Sequence, residues 1–182
     1  MADKVKFNIH NVHYAVMTTE GAWSAPKAIP GAVAFSLEPQ GEVTPFYADG
    51  VVYYNAVANN GYAGDLEMAA FPAEFLTEVF GVTEGATSKV LTENAMVEPK
   101  SFALLFEEDG DVSGTKFVLY NCTATRPNRE FKTNENTKTP STSTISVTAA
   151  PLLDGRVMAM TQSDTPESVV SSWYTAVYEE DT

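Results

Sequence analysis

His10 and His13 form a His-x-x-His pair, a spacing that invites a metal-ligand reading. They lie in an alternating apolar–polar run, and on a strand positions i and i+3 point to opposite faces. A metal site there would need a sharp bend and further ligands, so the plainer expectation is two exposed histidines at a bulge. Cys122 is the single cysteine, which excludes an internal disulfide and any multi-thiolate metal site. It sits in a strand pattern beside Tyr120 and Ala124 with no triad partners in view, and reads as a buried, inert thiol. Asp65 and Glu67 share one strand face and could be drawn as a hydrolase carboxylate pair, but two acids facing water is the simpler expectation. Glu107, Glu108, Asp109 and Asp111 lack the ligand spacing of an EF-hand loop and read as an acidic turn. GxxxxGK[ST], GxGxxG and GxSxG are absent. The expectation is therefore no enzyme, no cofactor and no metal.

Composition narrows the class further. The 182 residues suit one domain, long enough to bury a core without disulfides. Acids outnumber bases 24 to 11, for a net charge of −13. This argues against a nucleic-acid reader, which needs basic side chains against phosphates, and against a membrane-surface protein. No run of 18 apolar residues occurs, and the start shows no signal-peptide pattern, so the chain is expected to stay where it is made or leave by another route. Charge is uneven: residues 113–140 carry 2 acids and 5 bases, against 16 and 5 in residues 1–112.

The elements that must position these residues are mostly strands. Val5, Phe7 and Ile9 alternate with polar neighbours, and Val12, Tyr14 and Val16 continue one position out of phase, as across a bulge. Val33, Phe35 and Leu37 share a face; Pro39, Gly41, Pro45 and Gly50 mark a connection that should resist strand pairing and project. Val51–Ala58 reads as a sheet strand, Asn59-Asn60-Gly61 as a turn, and Leu66 and Met68 as facing away from Asp65 and Glu67. Residues 72–80 form the one clear helix, with Pro72 at its first position, the apolar stripe Phe75, Leu76, Val79 and Phe80, and Gly81 as its stop. Too short to stand alone, it must dock that stripe on a sheet. Phe102–Phe106 and Lys116–Thr125 read as a hairpin around the acidic tip, Ile145–Ala149 as a further strand, Asp154-Gly155 as another hairpin turn, and Val169–Tyr178 as a final strand. The fold class is mainly β: two packed antiparallel sheets, a sandwich or partly closed barrel, flanked by one short helix, in a single domain spanning 1–182.

Residues 29–42 (Ile-Pro-Gly-Ala-Val-Ala-Phe-Ser-Leu-Glu-Pro-Gln-Gly-Glu) run on into Thr44-Pro45-Phe46-Tyr47-Ala48-Asp49-Gly50 and Val51-Val52-Tyr53-Tyr54. Asn59-Asn60-Gly61-Tyr62-Ala63-Gly64-Asp65-Leu66-Glu67 and Pro72 to Gly81 come next. This ordered set resembles the major tail tube proteins of long, non-contractile-tailed bacteriophages, in the branch common among phages of Gram-positive hosts. The opening Asn11–Ala15 and the distal Thr139–Thr142 fit as well. The resemblance implies a tail-tube fold, homohexameric rings stacked into a DNA-conducting tube, and no catalytic residues. It implies a stacking loop at Glu38–Gly50 and terminal arms at about 1–11 and 169–182. It further implies tape measure, tail terminator and distal tail proteins as partners, and residence in the virion after assembly in the host cytoplasm.

Within that expectation, Phe46 and Tyr47 are the candidate inter-ring anchors, since a solvated loop has little reason to hold adjacent aromatics, with Glu42 and Asp49 at the rim. Glu38, Asp65 and Glu67 are the candidate lumen-facing acids from strand alternation. Six copies of −13 give a formal −78 per ring, the sign that lets DNA pass without binding. The basic segment 126–140 is open to pairing with an acidic neighbour or to simple solvation. Two other classes stay open: a monomeric carbohydrate-binding or adhesin-like β-module, which would explain the aromatics, and a β-sandwich hydrolase, which would need two carboxylates in one cleft.

Overall fold

A computed structural model describes residues 5–133 and 140–180. In chain order the strands are β1 (Lys6–Thr19), β2 (Ala22–Trp23), β3 (Lys27–Ala28), β4 (Ala32–Phe35), β5 (Glu38–Pro39), β6 (Val43–Ala48), β7 (Val51–Val57) and β8 (Tyr62–Met68). Helix α1 (Ala73–Phe80) is next, then β9 (Thr83–Glu84), β10 (Leu91–Thr92), β11 (Phe102–Gly110), β12 (Thr115–Ala124), β13 (Ser143–Ala150), β14 (Met158–Met160) and helix α2 (Glu167–Ser172).

One large antiparallel sheet runs in the order β2-β1-β11-β12-β13-β8-β4, with β3, β5 and β14 pairing β1, β8 and β12. The sheet curls until its two ends face each other. Phe35 of β4 meets Phe106 of β11 edge-on at 5.2 Å, yet no ladder joins β4 to β1 among the described residues. The expected two layers are thus the two halves of one continuous sheet, and the barrel stays open. Inside lie Val12, Tyr14, Leu66, Met68, Leu104, Leu119, Ile145 and Val147. The phase shift in β1 falls where expected: the register slips between His10 and His13, at Asn11 with φ 51°.

Helix α1 plugs this interior. Phe75, Val79 and Phe80 are buried, while Leu76 is half-buried and faces outward to a cleft. Pro72 caps the helix rather than opening it, and the Val82 N–H returns to the Leu76 carbonyl at 3.2 Å past the left-handed Gly81. Lys27 of β3 fastens the helix from outside, reaching Glu74 at 2.7 Å and Glu78 at 2.5 Å. Tyr14 donates to the other Glu78 oxygen at 2.9 Å. Burial works against the Glu78 charge, but these bonds hold its carboxyl below the usual range.

Three expectations are corrected. First, residues 169–178 form no strand. Pro166 and Glu167 start helix α2, and Trp173 and Val177 then pack on Ala15, Ala103, Leu105, Val118 and Tyr120. A proline whose φ suits a helix start and an acid in the first turn outweigh the β propensity of Val169, Val170 and the Trp173-Tyr174 pair. This cover explains why β11 is buried on both faces from Phe102 to Phe106. Second, Asp154-Gly155 turns the chain but makes no hairpin: β13 and β14 both pair with β12, so the segment between is a bulge in one edge. Third, Asn59-Asn60-Gly61 is an in-line kink. Gln40 donates to Gly61 and Asn60 donates to Gln40, both at 2.8 Å, and the ladder continues through them.

Candidate assembly surfaces

The residues first singled out for chemistry are held in structural contacts. His10 Nε2 meets Asp109 at 2.7 Å; His13 Nδ1 meets the Asn11 carbonyl at 2.8 Å, and its ring stacks on Tyr174 at 4.3 Å. Both are half-buried rather than exposed. The bonds from His10 and then Asn8 hold Asp109 below the ordinary carboxylate range. Glu108 pairs with Lys6 at 2.8 Å and Glu107 accepts from Asn11 at 3.1 Å. Cys122 is fully buried, and desolvation pushes its thiol far above the ordinary range. Among the described residues no group of three or more His, Cys, Asp or Glu side chains is placed to hold a metal ion, and no helix is long and apolar enough to cross a membrane.

Residues 43–57 form the most exposed apolar feature. The connection expected to resist pairing is instead the first strand of a hairpin, with β6 laddered to β7 from Val43↔Val57 to Ala48↔Val51. Pro45 is tolerated because each strand of a two-stranded ribbon is an edge. The turn is Asp49-Gly50, with φ of 52° and 79°, the left-handed pair that closes two-residue hairpins. An Asp-Gly between alternating apolar residues was the sequence signal for this element, and β7 belongs to it rather than to the large sheet. Val43, Phe46, Tyr47, Val51, Val52, Tyr53, Tyr54 and Val57 are all exposed, Phe46 and Tyr47 at 61% and 62%. The candidate aromatics therefore do not fold back onto their own subunit. Phe46 opposes Tyr54 and Tyr47 opposes Val52, with a bulge between, so both faces of the ribbon are apolar. Glu42 lies exposed at its base and Asp49 exposed at its tip.

The candidate acids Glu38, Asp65 and Glu67 gather on a second surface, the outer face of β5, β8 and β13. Glu38 opposes Ala63, Asp65 opposes Ser146, and Glu67 opposes Thr144. Ser146 Oγ donates to Asp65 at 2.7 Å and Thr142 Oγ1 to Glu67 at 2.5 Å. Thr148 and, across the next ladder, Thr123 of β12 extend the face. It is an open slope of hydroxyls and carboxylates, not a cleft closing on two acids. Gly64 at its centre lets β8 approach the segment joining β4 to β5, since a Cβ there would collide with the Ser36 carbonyl.

A third surface is a cleft of about 350 Å³ beside α1, with Phe71, Leu76 and Leu91 as its apolar wall and Arg129 and Phe131 on its rim. Phe131 is 89% exposed. Arg126 pairs with Glu93 and Lys132 with Glu130, each at 2.8 Å. Residues 134–139 of the expected basic loop lie outside the described residues, as do residues 1–4 and 181–182 of the expected arms. Of the arms, residues 6–10 ladder to β11, with Phe7 exposed, and the segment after Pro166 packs on its own sheet.

No family model matches the chain, and no curated protein matches it. Among solved structures it is similar to a chain of the anti-feeding prophage baseplate, seen by cryo-electron microscopy with six-fold symmetry applied. The identity is 14% and the TM-score 0.48, over 88% of this chain and 97% of that one. It is also similar to a chain of the anti-feeding prophage tube-terminating cap, at 11% identity and TM-score 0.44 over 90% and 95%. At these values the functional reading rests on the chain's own surfaces.

Proposed function

We propose that this chain is a structural subunit of a bacteriophage tail tube, assembling as homohexameric rings that stack and conduct DNA. The observation that carries the reading is the 43–57 hairpin, eight large apolar side chains held out in water on a paired ribbon. Exposed apolar surface of that extent marks an interaction site. Phe46 and Tyr47 are the inter-ring anchors, with Glu42 and Asp49 at the polar rim.

The polar face supplies the second half of the reading. It spans four strands: β12, β13, β8 and the β4–β5 edge. Six copies would close 24 strands into one barrel. At about 4.8 Å spacing and about 40° tilt the backbone diameter is roughly 48 Å, wide enough for a duplex once side chains are subtracted. Glu38, Asp65 and Glu67 would then line the lumen and repel phosphate.

The test is negative-stain microscopy of the purified protein beside a variant lacking residues 43–57. Glu42 and Ala58 are already backbone-bonded at 3.0 Å, so an Asn-Gly turn can rejoin them. Wild type should form tubes with negligible duplex affinity at physiological salt, and the variant should stay folded without forming tubes. A wild-type protein that stays monomeric and binds glycans through its exposed tyrosines would overturn the reading in favour of a carbohydrate-binding module.

A further inference from the structure

The hairpin and the cleft beside α1 lie at opposite ends of one ribbon. Residues 62–68 pair with the β4–β5 edge, the kink at 59–61 carries the ladder on, and Ala58 joins it to β7. The hairpin therefore leaves the body at the Tyr62 end of β8. The cleft is built at the other end, from Ala70 and Phe71 just past Met68 and from Ser141–Ser143, where β13 begins opposite Met68.

Their chemistries are complementary. The stretch from residue 28 to 88 holds no lysine or arginine, so the hairpin and its base carry Glu38, Glu42 and Asp49 uncompensated within the ribbon. Residues 126–132 carry Arg126, Arg129 and Lys132 against Glu130, and Arg129 has no ion pair among the described residues. One wall of the cleft, Phe71, Leu76 and Leu91, is apolar where the hairpin is aromatic, and the other is polar, with Asn128, Glu130 and Ser141–Ser143.

Resting on the tube reading above, we infer that the cleft lined by Phe71, Leu76 and Leu91 and rimmed by Arg129 receives the 43–57 hairpin of a second copy of this chain. Donor and acceptor sit on different ends, so the contact is head-to-tail and leaves hairpins free at one end of the stack and clefts free at the other at every stage, the condition for an open filament. Aromatic side chains entering against an apolar wall under an arginine rim match the composition of interface cores. The ribbon from Gly50 to Met68 spans at most about 60 Å at about 3.3 Å per residue, which caps the axial repeat.

The experiment is sedimentation of assembled protein against concentration and salt. Arg129→Glu, an exposed site, should leave the circular dichroism unchanged and raise the critical concentration for assembly at least about tenfold, because like charges now meet. Adding Asp49→Asn, which removes the acid that the new carboxylate would face and keeps a residue at home in the left-handed turn, should lower the critical concentration again. If Arg129→Glu disturbs the fold, mixing Asp49→Cys with Arg129→Cys serves instead, and a disulfide between the two variants in the pellet is expected. Wild-type-like assembly by Arg129→Glu, or no mixed disulfide, overturns the cleft as acceptor. If the hairpin deletion still blocks tubes in that case, the tube reading stands and only the acceptor is wrong.

Discussion

Replacing Phe75 with alanine tests how the helix is held. Phe75 has no exposed surface and is ringed by Tyr14 at 4.9 Å, Phe71 at 5.4 Å, Phe80 at 5.6 Å and Phe102 at 5.8 Å. Truncating a buried phenylalanine costs about 3–5 kcal/mol in all, lost ring contacts included. Backbones on both sides are fixed by ladders or the Lys27 clamp, so little collapse is available and the upper half of the range, about 4–5 kcal/mol, is expected. For a chain of 182 residues that lowers Tm by about 8–20 °C. Urea denaturation, run on the hairpin-deleted protein so that the proposed assembly cannot contribute, should show a lower midpoint at unchanged slope. Leu76→Ala, on the half-buried cleft side, should cost only about 1–2 kcal/mol. A loss below about 1 kcal/mol at Phe75, or a larger loss at Leu76 than at Phe75, would refute the docking argument.

Two further outcomes are expected. Gly64→Ala should cost about 3 kcal/mol or more, because its Cβ meets the Ser36 carbonyl and a backbone must move; Gly50→Ala, which meets nothing within 4 Å, should cost about 1–2 kcal/mol for its left-handed φ alone, and equal effects in thermal denaturation would contradict this. Stability should fall as pH rises above about 10. Burial raises the Tyr14 hydroxyl and pushes that of Tyr120 up to about 12, so above the unfolded value the native state holds protons that the unfolded chain releases. The slope is about 1.4 kcal/mol per pH unit for each such tyrosine, and a flat stability profile from pH 10 to 11.5 would refute it.

The inner core was legible because it obeys simple periods. Tyr14, Leu66, Leu104 and Ile145 fall on alternating positions, and the α1 stripe recurs at helical spacing with Pro72 and Gly81 at its ends. What failed was punctuation. Asn59-Asn60-Gly61 and Asp154-Gly155 have turn chemistry, but a sequence does not say whether a turn reverses a strand or only kinks it, since that is decided by which backbone lies alongside. At residues 59–61 the neighbour is Gln40, already committed to the same ladder; at 154–155 the next strand returns to β12. At Asp49-Gly50 the converse holds: two prolines nearby favour an irregular loop, yet the ribbon's open edges make a missing N–H harmless.

The assembly surfaces show the deeper limit. Periodicity identifies a face that is apolar but not what covers it. Val118 and Tyr120 look, by pattern, no different from Phe46 and Tyr54. The first pair is buried beneath Trp173 and Val177 of the same chain, whereas the second stands in water. The distinguishing feature is long-range: the segment after Pro166 returns to one sheet face, and no described segment returns to the hairpin. Two apolar faces alone do not set the hairpin apart, since β11 has them too, but both faces of β11 are covered by its own chain. Both faces of residues 43–57 carry apolar side chains. A ribbon that is apolar on both sides and left bare by its own chain offers two faces to a partner, and on the proposed reading the cleft beside α1 takes side chains from one of them.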